Sequence, residues 1–241
     1  MATFVLIPGG GCDSSYWRPL VAELRERGHE AVRVDLPCED DAAGLAEYAD
    51  AVVEQIGDRT DLIVVAHSLG GFTGPLVCER VRADLLVMLT AMTPSPGEAP
   101  GEWWAATGHD QAMREAAGHH GPPEEDHGFD PIFYHDVPAE LVAEVEKHPR
   151  GQSGTPMKEP WPLPAWPRVP TKFLLCRGDR LFPAEFMRRV VRERLGIVPD
   201  EIDGGHMVML SRPAELADRL VAYARHTRHE AGAPRTTSPS P

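Results

Sequence analysis

The stretch VVAHSLGGF, Val64 to Phe72, decides how the rest of the chain is read. A run of β-branched residues stops at Ala66, meets His67 and Ser68, and then enters Gly70 and Gly71. An ordinary strand-to-helix turn with a serine N-cap would have this composition. So would a nucleophile held on a strained elbow, which requires small residues two before and two after the serine. Ala66 and Gly70 are small. The apolar strand before them and the helical pattern after them favour the elbow.

A serine hydroxyl is a weak nucleophile until a base takes its proton. DGGHMVMLSRP places His206 after a late strand and before the last helix, with two glycines that let the loop turn tightly. Position singles it out from the other histidines. The imidazole needs a carboxylate to fix its tautomer and stabilise its cation. FLLCRGDRLFP supplies Asp179 at the end of the preceding strand. Asp203 is a rival but lies too near His206 in sequence to orient it comfortably, and no acid follows the strand at 84–90. His67 is expected to pack or hydrogen-bond locally.

A tetrahedral intermediate also needs N–H donors for its oxyanion. Leu69, just after the serine, offers one. The loop IPGGGCDSS after the first strand offers the other: Gly10 is the choice, with Gly9 and Gly11 as alternatives. That loop has neither a G-x-G-x-x-G pattern with a distal acid nor the lysine of a phosphate-binding loop.

Apolar strands at 3–7, 31–36, 61–66, 84–90, 171–176 and 198–203 alternate with helical stretches at 15–28, 42–57, 71–81, 184–195 and 213–226. Near-continuous apolar strands between helices predict an α/β fold, a doubly wound, mostly parallel sheet covered on both faces. The alternation breaks between residues 91 and 170, where Pro, Gly, Trp, His and acidic residues dominate. This segment is expected to be an inserted, mainly helical cap. The core is then 1–90 and 171–228, and the Pro/Ser/Thr-rich tail, 229–241, is expected to be disordered. Trp103, Trp104 and Phe133 of the cap are expected to supply apolar substrate-binding walls, with Phe129 and Tyr134 beside them. The histidines at 119, 120, 127 and 135 lack a rigid ligand spacing, so no metal is expected.

The 241 residues carry a net charge of −13, which argues against nucleic acid or an anionic membrane surface as partner. No apolar run approaches the ~20 residues of a membrane span. Four scattered cysteines without a C-x-x-C pair, and a start without signal-peptide features, predict free thiols and a cytoplasmic location. Oligomeric state is not legible; a homodimer is compatible.

Taken together, FVLIPGG, AHSLGG, GDRLFP and GGHMVMLSRP resemble the α/β-hydrolase superfamily, in particular the small capped esterases that include plant methylesterases and hydroxynitrile lyases. The order Ser68, Asp179, His206 is the order of that fold. Two departures stand out: Ala66 replaces the usual glycine, and Pro8 replaces the usual histidine of the oxyanion loop. The resemblance implies a cofactor-free serine hydrolase acting on an ester, thioester or lactone of a small to medium apolar molecule. Lysis or carbon–carbon cleavage with the same triad, or ligand binding with little turnover, are the alternatives.

Overall fold

The computed structural model describes residues 1–11, 13–117, 130–147 and 150–232. Six strands form one sheet: β1 (Thr3–Ile7), β2 (Glu30–Arg33), β3 (Leu62–His67), β4 (Ala83–Leu89), β5 (Thr171–Cys176) and β6 (Asp200–Ile202). Every pairing is parallel, in the order β2-β1-β3-β4-β5-β6. The doubly wound α/β expectation is met.

Side chains of successive strand residues alternate between two cores. Val5, Ile7, Val64, Ala66, Leu86, Met88, Phe173 and Leu175 face α2 (Leu45–Ile56), α3 (Gly74–Arg80) and α9 (Ala184–Leu195). Phe4, Leu6, Ile63, Val65, Val87, Leu89 and Leu174 face α1 (Arg18–Glu26) and α11 (Pro213–Gly232). Burial on both faces is why these strands read as unbroken apolar runs.

The chain begins at β1, moves outward to β2 and returns past β1 to β3. Connections therefore leave the C-terminal ends of β1 and β3 in opposite directions. That opens the crevice in which doubly wound sheets bind ligands. The glycine loop after β1 and Ser68 after β3 both lie there.

Boundaries differ from the sequence reading where turns compete with helices. The expected helix 15–28 opens as a 3₁₀ turn, Ser14–Trp17, capped by Asp13, before α1 begins beside Pro19. The expected helix 71–81 is preceded by a 3₁₀ turn, Ser68–Gly71, and α3 starts only at Gly74. The C-terminal helix runs on to Gly232, beyond both its expected end and the expected start of the tail; 233–241 lie outside the described residues.

Between β4 and β5 the described residues form α4 (Pro100–Thr107), α5 (His109–Ala117), α6 (Pro131–Tyr134), α7 (Ala139–Val145) and α8 (Thr155–Lys158). Trp103 and Trp161 from this segment are buried in the same core as Phe182 and Phe186. His119, His120, His127 and Phe129 lie outside the described residues.

Candidate active site

Ser68 sits directly after β3 with φ of 53°, a left-handed conformation uncommon for a residue with a side chain. Close packing around the turn holds it there. A Cβ on Gly70 would stand 2.6 Å from the carbonyl oxygen of Pro8, and one on Gly71 only 1.9 Å from that of Met92. Met92 N–H also donates to the Ser68 carbonyl at 2.9 Å. A Cβ on Gly74 would lie 2.7 Å from that of Ala66, so the small residue before the serine packs under α3 as well as serving the elbow. Alanine fits where the family pattern has glycine because Gly74 makes the room.

His206 and Asp179 meet, with His206 Nδ1 2.8 Å from Asp179 Oδ2, and each residue is 1% exposed. Asp179 Oδ1 accepts the N–H groups of Leu181 and Phe182, both at 2.8 Å. Thr90 Oγ1 donates to Oδ2. The buried carboxyl group thus has both oxygens supplied with donors, as a buried polar group requires. Since Nδ1 faces the carboxylate, it carries the proton and Nε2 is left with its lone pair. Asp203 instead pairs with Arg177, at 2.6 and 2.7 Å, and takes no part in orienting His206.

Thr90 was invisible to sequence reading. It directly follows β4 with φ of 37°, an outlier for a β-branched residue, and its N–H donates to the Leu174 carbonyl. Only the fold shows that the position after β4, which supplies no acid, supplies instead a hydroxyl to the acid.

His67 is buried and both of its ring nitrogens are engaged. Its Nε2–H donates to the His206 carbonyl at 3.0 Å, which leaves Nδ1 as an acceptor for the Tyr16 hydroxyl at 3.2 Å. Burial, and secondarily the neighbouring His206, push the His67 imidazole well below the usual histidine range. The folded protein therefore resists a proton that the unfolded chain takes up near pH 6.5. This contribution to stability is complete above about pH 6.5 and is lost as pH falls from there towards the folded value. Urea unfolding at pH 7.5 and 5.0 is expected to show a smaller acid-side loss in His67→Gln than in wild type; an unchanged loss rules out His67 as a source.

Ser68, His67 and His206 open onto a cavity of about 380 Å³ with Gly9, Gly10, Gly11, Asp130, Phe133, Tyr134, Glu146 and Met207. Phe133 lines this cavity, its ring 5.7 Å from that of His206. The structure does not bring Trp103 or Trp104 to this wall. Trp103 is fully buried, its indole N–H donating to the Thr93 carbonyl, and it packs on Phe182 and Phe186. Trp104 packs on His109 and Phe182. Phe182 in turn stands 5.2 Å from the His206 ring, so the tryptophans back the layer behind that histidine. The correction has a simple cause. The most apolar side chains of α4 are the ones the core claims first. A larger hollow of about 890 Å³ lies between α5 and α9; it reaches Asp179 but neither Ser68 nor His206.

The glycine loop is held from both sides. Gly9 N–H donates to the Tyr16 hydroxyl at 3.1 Å, and Gly11 N–H to Gln152 Oε1 at 3.0 Å. Among the described residues the N–H of Gly10 has no partner. A Cβ on Gly10 would lie 3.1 Å from Leu69 Cδ2, which places the two expected oxyanion residues side by side.

The three described cysteines, Cys38, Cys78 and Cys176, are free thiols. Burial pushes the Cys78 thiol up to about 12 and Cys176 well above its usual range, so neither is poised as a nucleophile. Among the described residues no helix is long and apolar enough to cross a membrane.

This sheet, elbow and paired histidine and carboxylate define an alpha/beta hydrolase, and the chain belongs to the alpha/beta hydrolase family, whose model matches residues 4–219. It is similar to probable hydrolase R7 of Phoma sp., 24% identical over 91% of this chain and 97% of that protein. Methylesterase 9 of Arabidopsis thaliana is 23% identical over 93% and 98% of the two chains. Among solved structures, polyneuridine aldehyde esterase superposes with a TM-score of 0.76 at 20% identity, covering 93% of this chain and 99% of that one. The resemblance read from the four sequence motifs is borne out at the level of family and fold.

Proposed function

We propose that the protein hydrolyses a carboxylic ester, thioester or lactone of a small to medium, largely apolar molecule through an acyl-enzyme on Ser68. The observation that carries this reading is Ser68 at positive φ, sharing a cavity with a histidine whose Nδ1 is already committed to a buried carboxylate. His206 Nε2 takes the Ser68 proton as Oγ bonds to the substrate carbonyl carbon. The oxyanion formed is met by the N–H groups of Gly10 and Leu69. As the tetrahedral species collapses, the bond to the leaving oxygen or sulfur breaks and the proton passes to it from His206. Water, deprotonated by the same nitrogen, then releases the acid. Similarity to proteins named hydrolase and esterase supports hydrolysis.

Phe133, Tyr134 and Met207 offer apolar wall. Among the described residues the wall bears two carboxylates, Asp130 and Glu146, and no Lys or Arg. A cyanide ion leaving from a cyanohydrin would meet no Lys or Arg among the described lining residues, which favours hydrolysis over lysis. Chromogenic esters of graded acyl and alcohol size, with labelling by a fluorophosphonate, test the proposal. Turnover is expected, with the label on Ser68 alone. A label on another serine, or no turnover across the whole panel, sinks it.

A further inference from the structure

Three consecutive glycines make the loop after β1 the least self-determined backbone near the site, since glycine has the widest conformational range in the unfolded chain. An oxyanion donor must be pre-organised to act, held within about 0.5 Å of its productive position. Something outside the loop has to supply that precision. The amides on either side of Gly10 are both tied to side chains from elsewhere in the chain.

On one side is Tyr16, fully buried in the 3₁₀ turn before α1. Its oxygen accepts from Gly9 N–H while its proton goes to His67 Nδ1, so the same hydroxyl ties the glycine loop to the residue preceding the nucleophile. On the other side is Gln152, from the segment between β4 and β5. Its Nε2 donates to the Tyr48 hydroxyl at 3.0 Å and to the Ser153 carbonyl at 3.1 Å. Those partners fix which way round the amide sits, and Oε1 is left to accept from Gly11 N–H. Gly11 itself has φ of 62°, a conformation that its glycine allows and this bond maintains.

We propose that Gln152 and Tyr16 are positioning residues for the reaction, which together aim the Gly10 N–H at the oxyanion by pinning the amide before it and the amide after it. The inference rests on the acyl-transfer reading of Ser68 given above. Neither residue touches the reacting atoms in this scheme. Each acts through Gly10, and the effect belongs to the transition state, because the ground-state carbonyl makes the weaker demand on the donor.

Three variants test it: Gln152→Met, which keeps length and removes the acceptor; Gln152→Glu, which keeps an acceptor for Gly11; and Tyr16→Phe. Each is assayed for kcat and KM on a chromogenic acetate ester, and for inhibition by a trifluoromethyl ketone that adds to Ser68 as a tetrahedral oxyanion. Outright loss of one oxyanion donor costs about 10²–10³-fold in kcat, so mis-aiming one is expected to cost roughly 10–100-fold in Gln152→Met and roughly 10-fold in Tyr16→Phe. KM is expected to stay within about twofold, and inhibitor affinity to fall in parallel with kcat. Gln152→Glu is expected to return kcat to within about threefold of wild type, because the carboxylate still accepts from Gly11. Tyr16→Phe, which deletes a single oxygen, keeps the test alive if a Gln152 variant fails to fold.

Wild-type kcat and inhibitor affinity in Gln152→Met or Tyr16→Phe overturn the proposal. Equal losses in Gln152→Met and Gln152→Glu also overturn it, since packing or the Tyr48 contact would then be what matters. Failure of the underlying reading looks different: the wild-type protein itself would neither turn over the ester nor take the fluorophosphonate on Ser68.

Discussion

Ser68→Ala is expected to lower kcat by about 10⁵-fold or more on any ester the protein accepts, with the folded structure intact. The size follows from the way the parts depend on each other. Without the hydroxyl, His206 has no proton to take and Asp179 no imidazolium to stabilise, so the triad falls as a unit and only binding and oxyanion stabilisation remain. Stability should change little. Alanine and serine bear the same cost in the left-handed conformation that Ser68 occupies, and the packing at Gly70, Gly71 and Gly74 does not involve the hydroxyl. Circular dichroism and thermal unfolding of the mutant check the fold, and burst kinetics check the acyl-enzyme. A folded mutant with activity within tenfold of wild type removes Ser68 from the mechanism.

Asp179→Asn is expected to cost about 10⁴-fold, the scale of the equivalent change in a serine protease, while Asp203→Asn costs less than about threefold. The hydrogen bonds around Asp179 dictate the outcome. Two backbone N–H groups, from Leu181 and Phe182, point at Oδ1, so the carbonyl oxygen of an asparagine must sit there. The NH₂ group then takes the place of Oδ2 and faces His206 Nδ1. It can only donate, which forces the imidazole proton onto Nε2, the nitrogen that has to accept from Ser68. Asp203 is engaged with Arg177 at a half-exposed site, and losing one such ion pair is worth little. Equal losses in the two mutants, or a larger loss in Asp203→Asn, show that the acid has been misassigned.

Local chemistry explains which parts of this were legible in the sequence. Strands buried on both faces announce themselves as apolar runs, and the elbow shows itself because close packing there demands small residues at fixed offsets from Ser68. The position of His206 followed from the order of elements along the chain. Contacts between distant segments left no such trace. Nothing in the word GGG says that Tyr16 holds Gly9 and Gln152 holds Gly11, or that Gly10 is thereby left over. Thr90 looks like the last residue of an ordinary strand, and its hydroxyl acquires a role only because β5 brings Asp179 alongside. The tryptophans misled for the converse reason. Large apolar side chains in an inserted segment fit a pocket wall and a core anchor equally well in sequence, and which one they become depends on how α4 lies against Phe182 and Phe186.

The neighbouring strands β4 and β5 join Leu86 to Thr171 across a long intervening segment. The two groups proposed to activate Ser68 arrive after that junction: Asp179 follows β5 and His206 follows β6. Synthesis then delivers the proposed nucleophile early and its proposed base late. While the chain is still emerging, the first four strands can pair and the serine already exists, yet its hydroxyl is as inert as any other. On the proposed reading, reactivity requires the last two strands to join the edge of the sheet, a distant parallel pairing of the kind that forms slowly. The reactivity of Ser68 in a newly made molecule then waits, on that same reading, for the C-terminal third of the chain, which carries Asp179 and His206.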